Sequence, residues 1–533
     1  MMTLRIIFGL LVFTLVSVVF AADANIAVNL DSSNLPIFVI DTQGKSIKDE
    51  PKTMVRLGVI DNGPDLLNYR NDPFNEYDGW IGLELRGNAS LHLFPKKPYT
   101  FETRHKDTSN NNVELCGLPR ENDWILRAAY IDKTFIRDAL AYFMSRSIGR
   151  WAPRTRHIEL IVDDEYQGIY VLEEQIKPDN DRLDIAKMDS SDIAGEDVTG
   201  GYIYEISQDG PGFGERRRFV YPKPDDIMPE QVDYIREYDD QFRRVMRRSD
   251  FNDPENGYPK YIDVPAFIDE ILVQEAVKNS DTYGWSSYFH KDQGGKLKAG
   301  PVWDFDQALS NSTFSCGDCV KEWQIEKQLD GHPDFWYRLW TDSSFKTQLA
   351  DRWFELRDGP FQTARLFAFV DSCAVHLSEA QERNFQRWPI LGEELWRSTD
   401  GWQERDTYQK EVDYMRNWLD AHLEWMDDEL ARFTSVQQTA GPVKLTFQIT
   451  PNPFHQQVSI SYTLYKSQHI RFIVYNVLGQ QVKTLVDRVQ SKGRHIIRWD
   501  GRDARGRHVP PGLYLYRCQL GNKKVFAEKL LKF

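Results

Sequence analysis

Residues 300–306 read Gly-Pro-Val-Trp-Asp-Phe-Asp. Its two carboxylates, Asp304 and Asp306, lie two positions apart in an otherwise apolar run. On a strand or at a strand end, the alternation of side chains would place both carboxylates on one face. Two adjacent like charges are costly to bury unless a cation shares them, and carboxylate oxygens suit Mg²⁺. The pattern therefore predicts a metal site, with a pair of turn or surface aspartates as the alternative.

A third carboxylate precedes this stretch. Asp281 follows residues 271–277, Ile-Leu-Val-Gln-Glu-Ala-Val, a run that is typical of a helix. Between Asp281 and Asp304 we expect two strands, at residues 286–290 and 296–298, and a hairpin of that length can return the second aspartate beside the first. Such a pair can divide the work of phosphoryl transfer, one carboxylate orienting a hydroxyl nucleophile and the other holding metal.

A glycine-containing turn is the third element that indicates phosphate chemistry. Residues 86–90 read Arg-Gly-Asn-Ala-Ser and follow a predicted strand. A turn of this composition can offer backbone N–H groups and side-chain donors to phosphates. One lysine on the strand that returns, from the pair Lys96 and Lys97, can reach the same phosphates. The alternative is a solvated β-turn with two surface lysines.

The order of predicted elements indicates an α+β domain. Strand patterns cover residues 79–86, 98–102, 157–162 and 168–172, the last two as a hairpin. From about Val264 the pattern is mostly helical. Apolar residues spaced by three and four predict a long amphipathic helix containing Val412, Met415, Leu419, Leu423, Met426 and Leu430. A β-rich small lobe before a helical large lobe predicts a two-lobe fold with a cleft between the lobes.

Composition divides the 533 residues into segments. Residues 1–21 are typical of a secretory signal peptide, because Arg5 precedes an apolar run that is short for a membrane anchor and is followed by small residues. Residues 25–433 form the large domain, residues 434–443 a polar linker, and residues 444–533 a small all-β immunoglobulin-like sandwich with Gly, Pro and Asn between alternating strands. We expect export with cleavage of the signal, and no transmembrane segment afterwards.

Charge and cysteine content restrict the function further. The formal net charge of −14 argues against general nucleic-acid binding, because phosphate backbones repel acidic surfaces. Nucleotide binding needs only a local basic pocket and stays open. Five cysteines are an odd number for an exported protein, so at least one is unpaired. For the single CxxC of Cys316 and Cys319, a local disulfide or two plain thiols is favoured over zinc, since a second pair at ligand spacing is absent from the sequence.

Taken in order, these and neighbouring motifs resemble the CotH (spore-coat protein H) kinase family across about residues 35–430. The motifs are LRGNAS (85–90), FPKKPY (94–99), DWILRA (123–128), DKTFIR (132–137), APRT (152–155), EYQGIYVLEE (165–174), NSD (279–281) and GPVWDFD (300–306). The resemblance implies a divergent two-lobe, protein-kinase-like fold that binds ATP and Mg²⁺ or Mn²⁺. It also implies transfer of the γ-phosphate to serine or threonine hydroxyls of exported proteins.

Position by position, the resemblance implies roles for single residues. Asp281 corresponds to the catalytic aspartate and Asp304 to the metal-binding aspartate. The implied phosphate and nucleotide contacts are Arg86, Gly87, Asn88, Ser90, Lys97 and, with its role left open, Glu174. Ordinary kinases place a metal-binding Asn where this chain has Ser286, a weaker magnesium ligand, so we expect Asp306 to share the metal.

Two departures from the family pattern keep another function open. Ala89 stands where the family usually has Ser, and Ser310 stands where Gly is common. Beside the favoured secreted Ser/Thr kinase, the chain could therefore be a non-catalytic, pseudokinase-like surface or coat-assembly protein. A surface adhesin is a third alternative, and it rests only on the export signals and the aromatic content.

The C-terminal segment carries a second resemblance, to the type IX secretion sorting domain, which is similar to the FlgD-like immunoglobulin sandwich. The matching stretches are residues 451–454, 475–480, 499–503 and 511–517. The resemblance implies passage through the outer membrane by the type IX secretion machinery. Release, or attachment at the outer cell surface, would follow.

Overall fold

The computed structural model describes residues 28–87, 89–207, 212–214, 216–327, 332–434, 448–464, 467–491, 493–520 and 524–533. The predicted signal peptide, and the predicted linker except Thr434, lie outside these ranges. Among the helices of the described ranges, none combines the length and the apolar character needed to cross a bilayer.

A closed seven-stranded barrel forms the N-terminal region. The strands here are β1 (Ser32–Ser33), β2 (Ile37–Asp41), β3 (Thr53–Ile60), β4 (Asn68–Tyr69), β5 (Tyr77–Leu85), β6 (Tyr99–Arg104), β7 (Val113–Leu115), β8 (Leu118–Glu121), β9 (Asp123–Arg127), β10 (Thr155–Val162) and β11 (Glu165–Glu174). The helices are α1 (Ala89–Leu93) and α2 (Arg137–Ser147). The barrel order is β10-β11-β9-β6-β5-β3-β2, and a parallel pairing of β10 with β2 closes it.

Alternation along the barrel strands separates a packed interior from an outer face. On β9, Trp124 and Leu126 are fully buried in the barrel core. Ile125, between them, packs with the core outside the barrel. The same alternation carries Arg127 to the outer face, so that the last residue of the strand is presented to the next region of the chain.

The following region packs a five-stranded sheet and several helices against the outer face of the barrel. Its strands are β12 (Tyr202–Ile206), β13 (Gly212–Gly214), β14 (Arg217–Tyr221), β15 (Ser287–Lys291) and β16 (Leu297–Ala299), in the order β13-β14-β12-β15-β16. Its helices are α3 (Pro229–Met246), α4 (Val264–Val277), α5 (Asp334–Thr341), α6 (Ser343–Arg357), α7 (Thr363–His376), α8 (Ala380–Arg387) and α9 (Tyr408–Leu430). One continuous apolar core joins the outer side of β9 and β11 to this sheet and these helices.

The C-terminal region is all-β and consists of two antiparallel sheets. Its strands are β17 (Gln448–Thr450), β18 (Val458–Leu464), β19 (Gln468–Asn476), β20 (Gln481–Gln490), β21 (Gly493–Trp499), β22 (Gly512–Leu520) and β23 (Lys524–Lys532). The sheet orders are β17-β18-β21 and β20-β19-β22-β23. Phe472, Trp499 and Tyr516 are fully buried in a core of their own.

Several expectations from the sequence are confirmed. The chain is a mixed α/β region followed by an immunoglobulin-like β region. The six apolar residues spaced by three and four lie on α9 and are fully buried. The predicted strands near residues 79–86 and 98–102 are β5 and β6, which pair, and β10 and β11 form the predicted hairpin. Closure into a barrel was not predicted, because local strand patterns do not reveal the long-range pairing of β10 with β2. The two-lobe, kinase-like arrangement remains a prediction.

The CxxC pair forms a local disulfide, one of the two alternatives favoured over a zinc site. Cys316 and Cys319 form a disulfide, and Cys116, Cys373 and Cys518 are free thiols. Cys116 and Cys518 are buried in the barrel and the C-terminal core, and burial raises the pKa of Cys518 to about 12. These thiols are therefore protonated packing residues.

A buried ion pair at the start of α2 ties the barrel region to the segment after Asp306. Arg137 is fully buried, and its Nη1 lies 2.5 Å from Asp132 Oδ1. Its Nε donates to the carbonyl of Ala308 at 3.0 Å. Because Asp132 accepts further hydrogen bonds from nearby backbone N–H groups, the pair satisfies most of its polar atoms internally.

We expect Arg137→Met to lower the free energy of unfolding by about 3–5 kcal/mol, because it leaves the Asp132 carboxylate buried without its partner. Denaturation followed by tryptophan fluorescence measures the change. Arg247→Met is the control, since Arg247 pairs with Asp334 at 3.4 Å and both side chains are more than half exposed; its cost should be at most about 1 kcal/mol. Equal effects would show that Arg137 has no anchoring role.

Candidate active site

A cavity of about 510 Å³ opens where the barrel meets the sheet and helices of the next region. The polar and charged residues that line it are Arg86, Ser90, Lys96, Arg127, Glu205, Ser207, Asp281, Ser286, Asp304, Asp306, Gln307 and Arg397. Gly87 and Trp303 line it as well. Seven of the residues singled out from the sequence are therefore brought to one cavity: Arg86, Gly87, Ser90, Asp281, Ser286, Asp304 and Asp306.

Asp304 lies in an irregular segment, and the expectation of a strand here is wrong. The described residues 300–305 contain no strand, and Asp304 has a φ of 67°, in the left-handed region. Its carboxylate accepts hydrogen bonds from Arg127 Nη1 at 2.7 Å and from Ser286 Oγ at 3.2 Å. Asn279 Nδ2 donates to its backbone carbonyl at 3.0 Å. This left-handed turn, and not strand alternation, directs the side chains of the segment.

Arg127 connects three carboxylates from different parts of the chain. Besides Asp304, its Nε lies 3.0 Å from Glu173 Oε1 on β11 and 3.3 Å from Asp138 Oδ2 on α2. Burial raises the pKa of Glu173 to about 7 and that of Asp138 to about 6. Burial acts to lower the pKa of Arg127, but its carboxylate neighbours raise it well above the usual value. Arg127 therefore stays a cation at the floor of the cavity.

Asp281 faces Asp304 across the cavity. Burial, and then the charge of Asp304, raise the pKa of Asp281 to about 7. Burial and the same neighbour raise the pKa of Asp306 well above its usual range. Gln307 Nε2 donates a hydrogen bond to Asp281 Oδ2, and Arg397 Nη1 lies 3.6 Å from Asp281 Oδ1. Burial and the mutual repulsion of the aspartates therefore both oppose the ionisation of Asp281 and Asp306.

The turn after β5 contributes donors to the opposite wall. Gly87 has a φ of +97°, and a Cβ at this position would lie 2.3 Å from Ser90 Oγ, so only glycine fits. The Arg86 guanidinium lies 5.6 Å from the centre of the Trp303 ring. Arg86 Nη1 and Arg127 Nη2 are buried without a hydrogen-bond partner in the described part of the chain. Two unsatisfied cationic donors in one cavity suit an anion such as a phosphate. Asn88 lies outside the described residues.

Two of the predicted nucleotide contacts do not line the cavity. Lys97 Nζ donates to the carbonyls of Leu91 and Phe94, both at 2.7 Å, and so holds the turn that contains α1. Lys96, its neighbour, lines the cavity in its place.

Glu174 also points elsewhere. Its carboxylate accepts hydrogen bonds from the backbone N and side chain of Arg154, the latter at 2.8 and 2.7 Å. On β11, alternation turns Glu173 toward Arg127 and Glu174 to the opposite side. Glu173, and not Glu174, therefore contacts Arg127 at the floor of the cavity.

Sequence reasoning missed Arg127, Glu173, Gln307 and Arg397. Arg127 and Glu173 lie within quoted motifs, and the strand period would have placed Arg127 on the face opposite the barrel core. Gln307 directly follows Asp306. Arg397 comes from an irregular segment after α8, and the sequence holds no signal for its position.

The donor set is chemically suited to a divalent cation. Asp304, Asp306 and Ser286 offer hard oxygen atoms. Burial, and then the charge of Asp304, raise the pKa values of Asp281 and Asp306, and a bound cation would favour their ionised forms. The described residues contain one group of three cysteine, histidine or acidic side chains whose ligand atoms lie within 4.8 Å of one another: Cys316, Cys319 and Glu322. The two cysteines of that group are joined in the disulfide. The cavity aspartates do not form such a group. The aspartates would therefore need water and phosphate oxygens as further ligands, as is usual for Mg²⁺.

Comparison with family models identifies the chain. The model described as CotH kinase protein matches residues 83–426, which is more than half of the sequence and includes every cavity residue named above. The chain belongs to the CotH kinase protein family. In this CotH protein, a second model, described as FlgD Ig-like domain, matches residues 437–523.

Solved structures add little about this CotH protein. One similar chain is dimeric latent PorU from Porphyromonas gingivalis, with 18% identity and a TM-score of 0.15, covering 17% of this chain and 10% of that one. Another is the alkylpurine DNA glycosylase AlkC of Pseudomonas fluorescens, with 13% identity and a TM-score of 0.14, covering 39% of this chain and 66% of that one. Both TM-scores are too low to bear on fold or function. A search of curated proteins found no match to this chain.

The raised pKa of Asp281 predicts a pH dependence of stability in the metal-free protein. The folded state binds a proton that the unfolded state releases near pH 4, so this carboxyl contributes stability at low pH that is lost as the pH rises toward about 7. We expect the melting temperature of the parent to fall as the pH rises from about 4 to about 7, and that of Asp281→Asn to fall less. Calorimetry in the presence of a chelator measures both. Asp413→Asn, at an exposed site on α9, should leave the slope unchanged; an unchanged slope in Asp281→Asn would contradict the raised pKa.

Proposed function

We propose that this CotH protein is a secreted protein kinase that transfers the γ-phosphate of ATP to serine or threonine hydroxyls of exported proteins, with Mg²⁺ or Mn²⁺. The observation that carries the proposal is the composition of the cavity. A carboxyl with its pKa near 7 shares the cavity with two further aspartates, and the same cavity is lined by two guanidiniums that each have one nitrogen without a partner among the described residues. This set matches the needs of phosphoryl transfer, which are positioning and neutralisation of charge.

Asp281 is the proposed general base. A substrate hydroxyl at Asp281 would form a bond from its oxygen to the γ-phosphorus while the bond from phosphorus to the bridging oxygen of ADP breaks. The carboxylate accepts the hydroxyl proton as this happens. Its pKa of about 7 keeps it basic enough to take the proton and partly ionised at neutral pH.

Arg86 and Arg127 are the proposed phosphate donors. Each has one buried nitrogen without a partner, and both guanidiniums lie within 6 Å of the Trp303 ring, which fixes their direction. Asp304 and Asp306, with Ser286, would hold the divalent cation. When bound, such a cation neutralises the charge that develops on the phosphate oxygens.

A nucleotide-binding assembly protein without turnover is the second candidate. Ser286 is a weaker metal ligand than Asn, and Ala89 removes one hydroxyl from the phosphate turn. Ser310, the other departure, adopts a φ of 60° and its Oγ lies 2.7 Å from the hydroxyl of Tyr414, so the fold accepts it without glycine. The departure at Ser310 therefore does not disturb the cavity.

The first test is incorporation of label from γ-labelled ATP into a generic acceptor protein with Mg²⁺ or Mn²⁺. We expect Asp281→Asn to lower the rate about 100-fold or more, because the general base is lost. Asp304→Asn should lose the stimulation of the rate by Mg²⁺ or Mn²⁺, because the proposed metal ligand is removed. Asp413→Asn, at an exposed position on α9, is the matched control and should keep the parental rate. If the parent binds nucleotide but incorporates no label, the kinase hypothesis is wrong and the nucleotide-binding assembly protein is favoured.

We also propose that the FlgD Ig-like domain is a type IX sorting signal that brings the kinase to the outer cell surface or the medium. Its support is the β-sandwich and the motifs at residues 451–454 and 511–517. The chain truncated after residue 433 should stay in the periplasm of a type IX-competent host, while the full chain is exported. Fractionation and immunoblotting measure this, and equal export of both would contradict the sorting role.

A further inference from the structure

We propose that Gln307 and Arg397 are positioning residues that fix the direction in which Asp281 receives the substrate proton. The inference rests on the proposed kinase function and adds two residues to it. Neither residue is part of the three-aspartate set, and Arg397 comes from a segment far from the others in sequence.

The amide of Gln307 has one possible orientation. Its Oε1 accepts hydrogen bonds from Arg397 Nη1 at 2.6 Å and from Ser312 Oγ at 3.2 Å. Because a guanidinium only donates, the oxygen of the amide must face Arg397 and the NH₂ group must face Asp281. Gln307 is 6% exposed, and both of these donors are directed at its amide oxygen. The side chain therefore always presents a donor to Asp281 Oδ2.

Arg397 is held in place from three sides. Its guanidinium lies 3.9 Å from the centre of the Phe314 ring and 4.0 Å from that of Trp396. Its backbone carbonyl accepts a hydrogen bond from the N–H of Thr313 at 3.0 Å. Its φ is 61°, a conformation that a non-glycine residue keeps only where its surroundings enforce it. The planar cation between two rings is thus a fixed support for the Gln307 amide.

These contacts leave one oxygen of Asp281 for the substrate. Oδ2 is occupied by Gln307, whereas Oδ1 lies 3.6 Å from Arg397 Nη1, beyond hydrogen-bond distance. The nearby cation still favours the ionised carboxylate, in opposition to burial. Oδ1 is therefore free to accept a hydroxyl proton, and the direction of its lone pairs is set by the Gln307 contact on the other oxygen.

The test compares the full-length chain with Gln307→Leu and Arg397→Met in steady-state kinetics. We expect kcat to fall about 10- to 100-fold in each variant, because Asp281 is then poorly oriented toward the substrate hydroxyl while substrate binding is kept. KM for ATP should stay within about 2-fold, since neither residue is proposed to touch phosphate. The double variant should be little worse than either single variant, because both act through one carboxylate. Gln307→Asn, which keeps the donor on a shorter side chain, should recover part of kcat.

Arg416→Met is the matched control, since Arg416 also stacks on a ring, at 4.5 Å from Phe367, and pairs with Asp371 at 2.7 Å away from the cavity. It should keep the parental kcat. An unchanged kcat in folded Gln307→Leu and Arg397→Met, or additive losses in the double variant, would overturn the proposal.

A second measurement does not depend on turnover. If the parent transfers no phosphate, the kinase function fails, and crystal structures of the parent and Gln307→Leu then decide the positioning role. A rotated Asp281 carboxylate in the variant supports it, and an unchanged rotamer overturns it.

Discussion

The charge of Arg127 is the constraint on which the cavity depends. It is the last residue of a barrel strand, yet all of its carboxylate partners lie elsewhere, on β11, on α2 and in the segment of Asp304. Breaking a buried pair by removing one partner costs about 3–5 kcal/mol, and here one cation balances three acids. Arg127 is therefore one of the contacts, beside the Arg137 pair and the shared apolar core, that hold the barrel, the helix and the Asp304 segment together.

Buried aspartates give the site its chemistry. Asp281, Asp304 and Asp306 face one cavity, where burial and then the charge of Asp304 raise the pKa values of Asp281 and Asp306. Arg86 and Arg127 line the same cavity, and each has a donor that is unsatisfied within the described residues. A ligand that brings both a cation and an anion satisfies the aspartates and the arginines together, and a metal–nucleotide complex is such a ligand. The site is electrostatically incomplete in a way that matches the proposed reactants.

Sequence patterns predicted the parts of this site that depend on local spacing. Asp281, Asp304 and Asp306 could be found as carboxylates in apolar surroundings, and α9 could be found from its spacing. The barrel could not, because its closing contact joins β2 with β10. Lys97 and Glu174 were one position away from the residues that line or support the cavity, Lys96 and Glu173, because residue type does not tell which of two adjacent side chains faces inward. Arg397 depends on tertiary packing alone.

The attachment of α8 to the barrel has a consequence for how a ligand enters. Asn384 Oδ1 accepts a hydrogen bond from the N–H of Ile169 at 3.1 Å and another from Lys96 Nζ, and Trp388 Nε1 donates to the carbonyl of Gln167 at 2.9 Å. Together with the pair of Arg127 and Asp304, these contacts cross the boundary between barrel and helices on two sides of the cavity. A hinge motion of the kind that admits nucleotide to many two-lobed enzymes would break them all. A ligand that entered with barrel and helices held in this arrangement would have to pass through the mouth of the cavity.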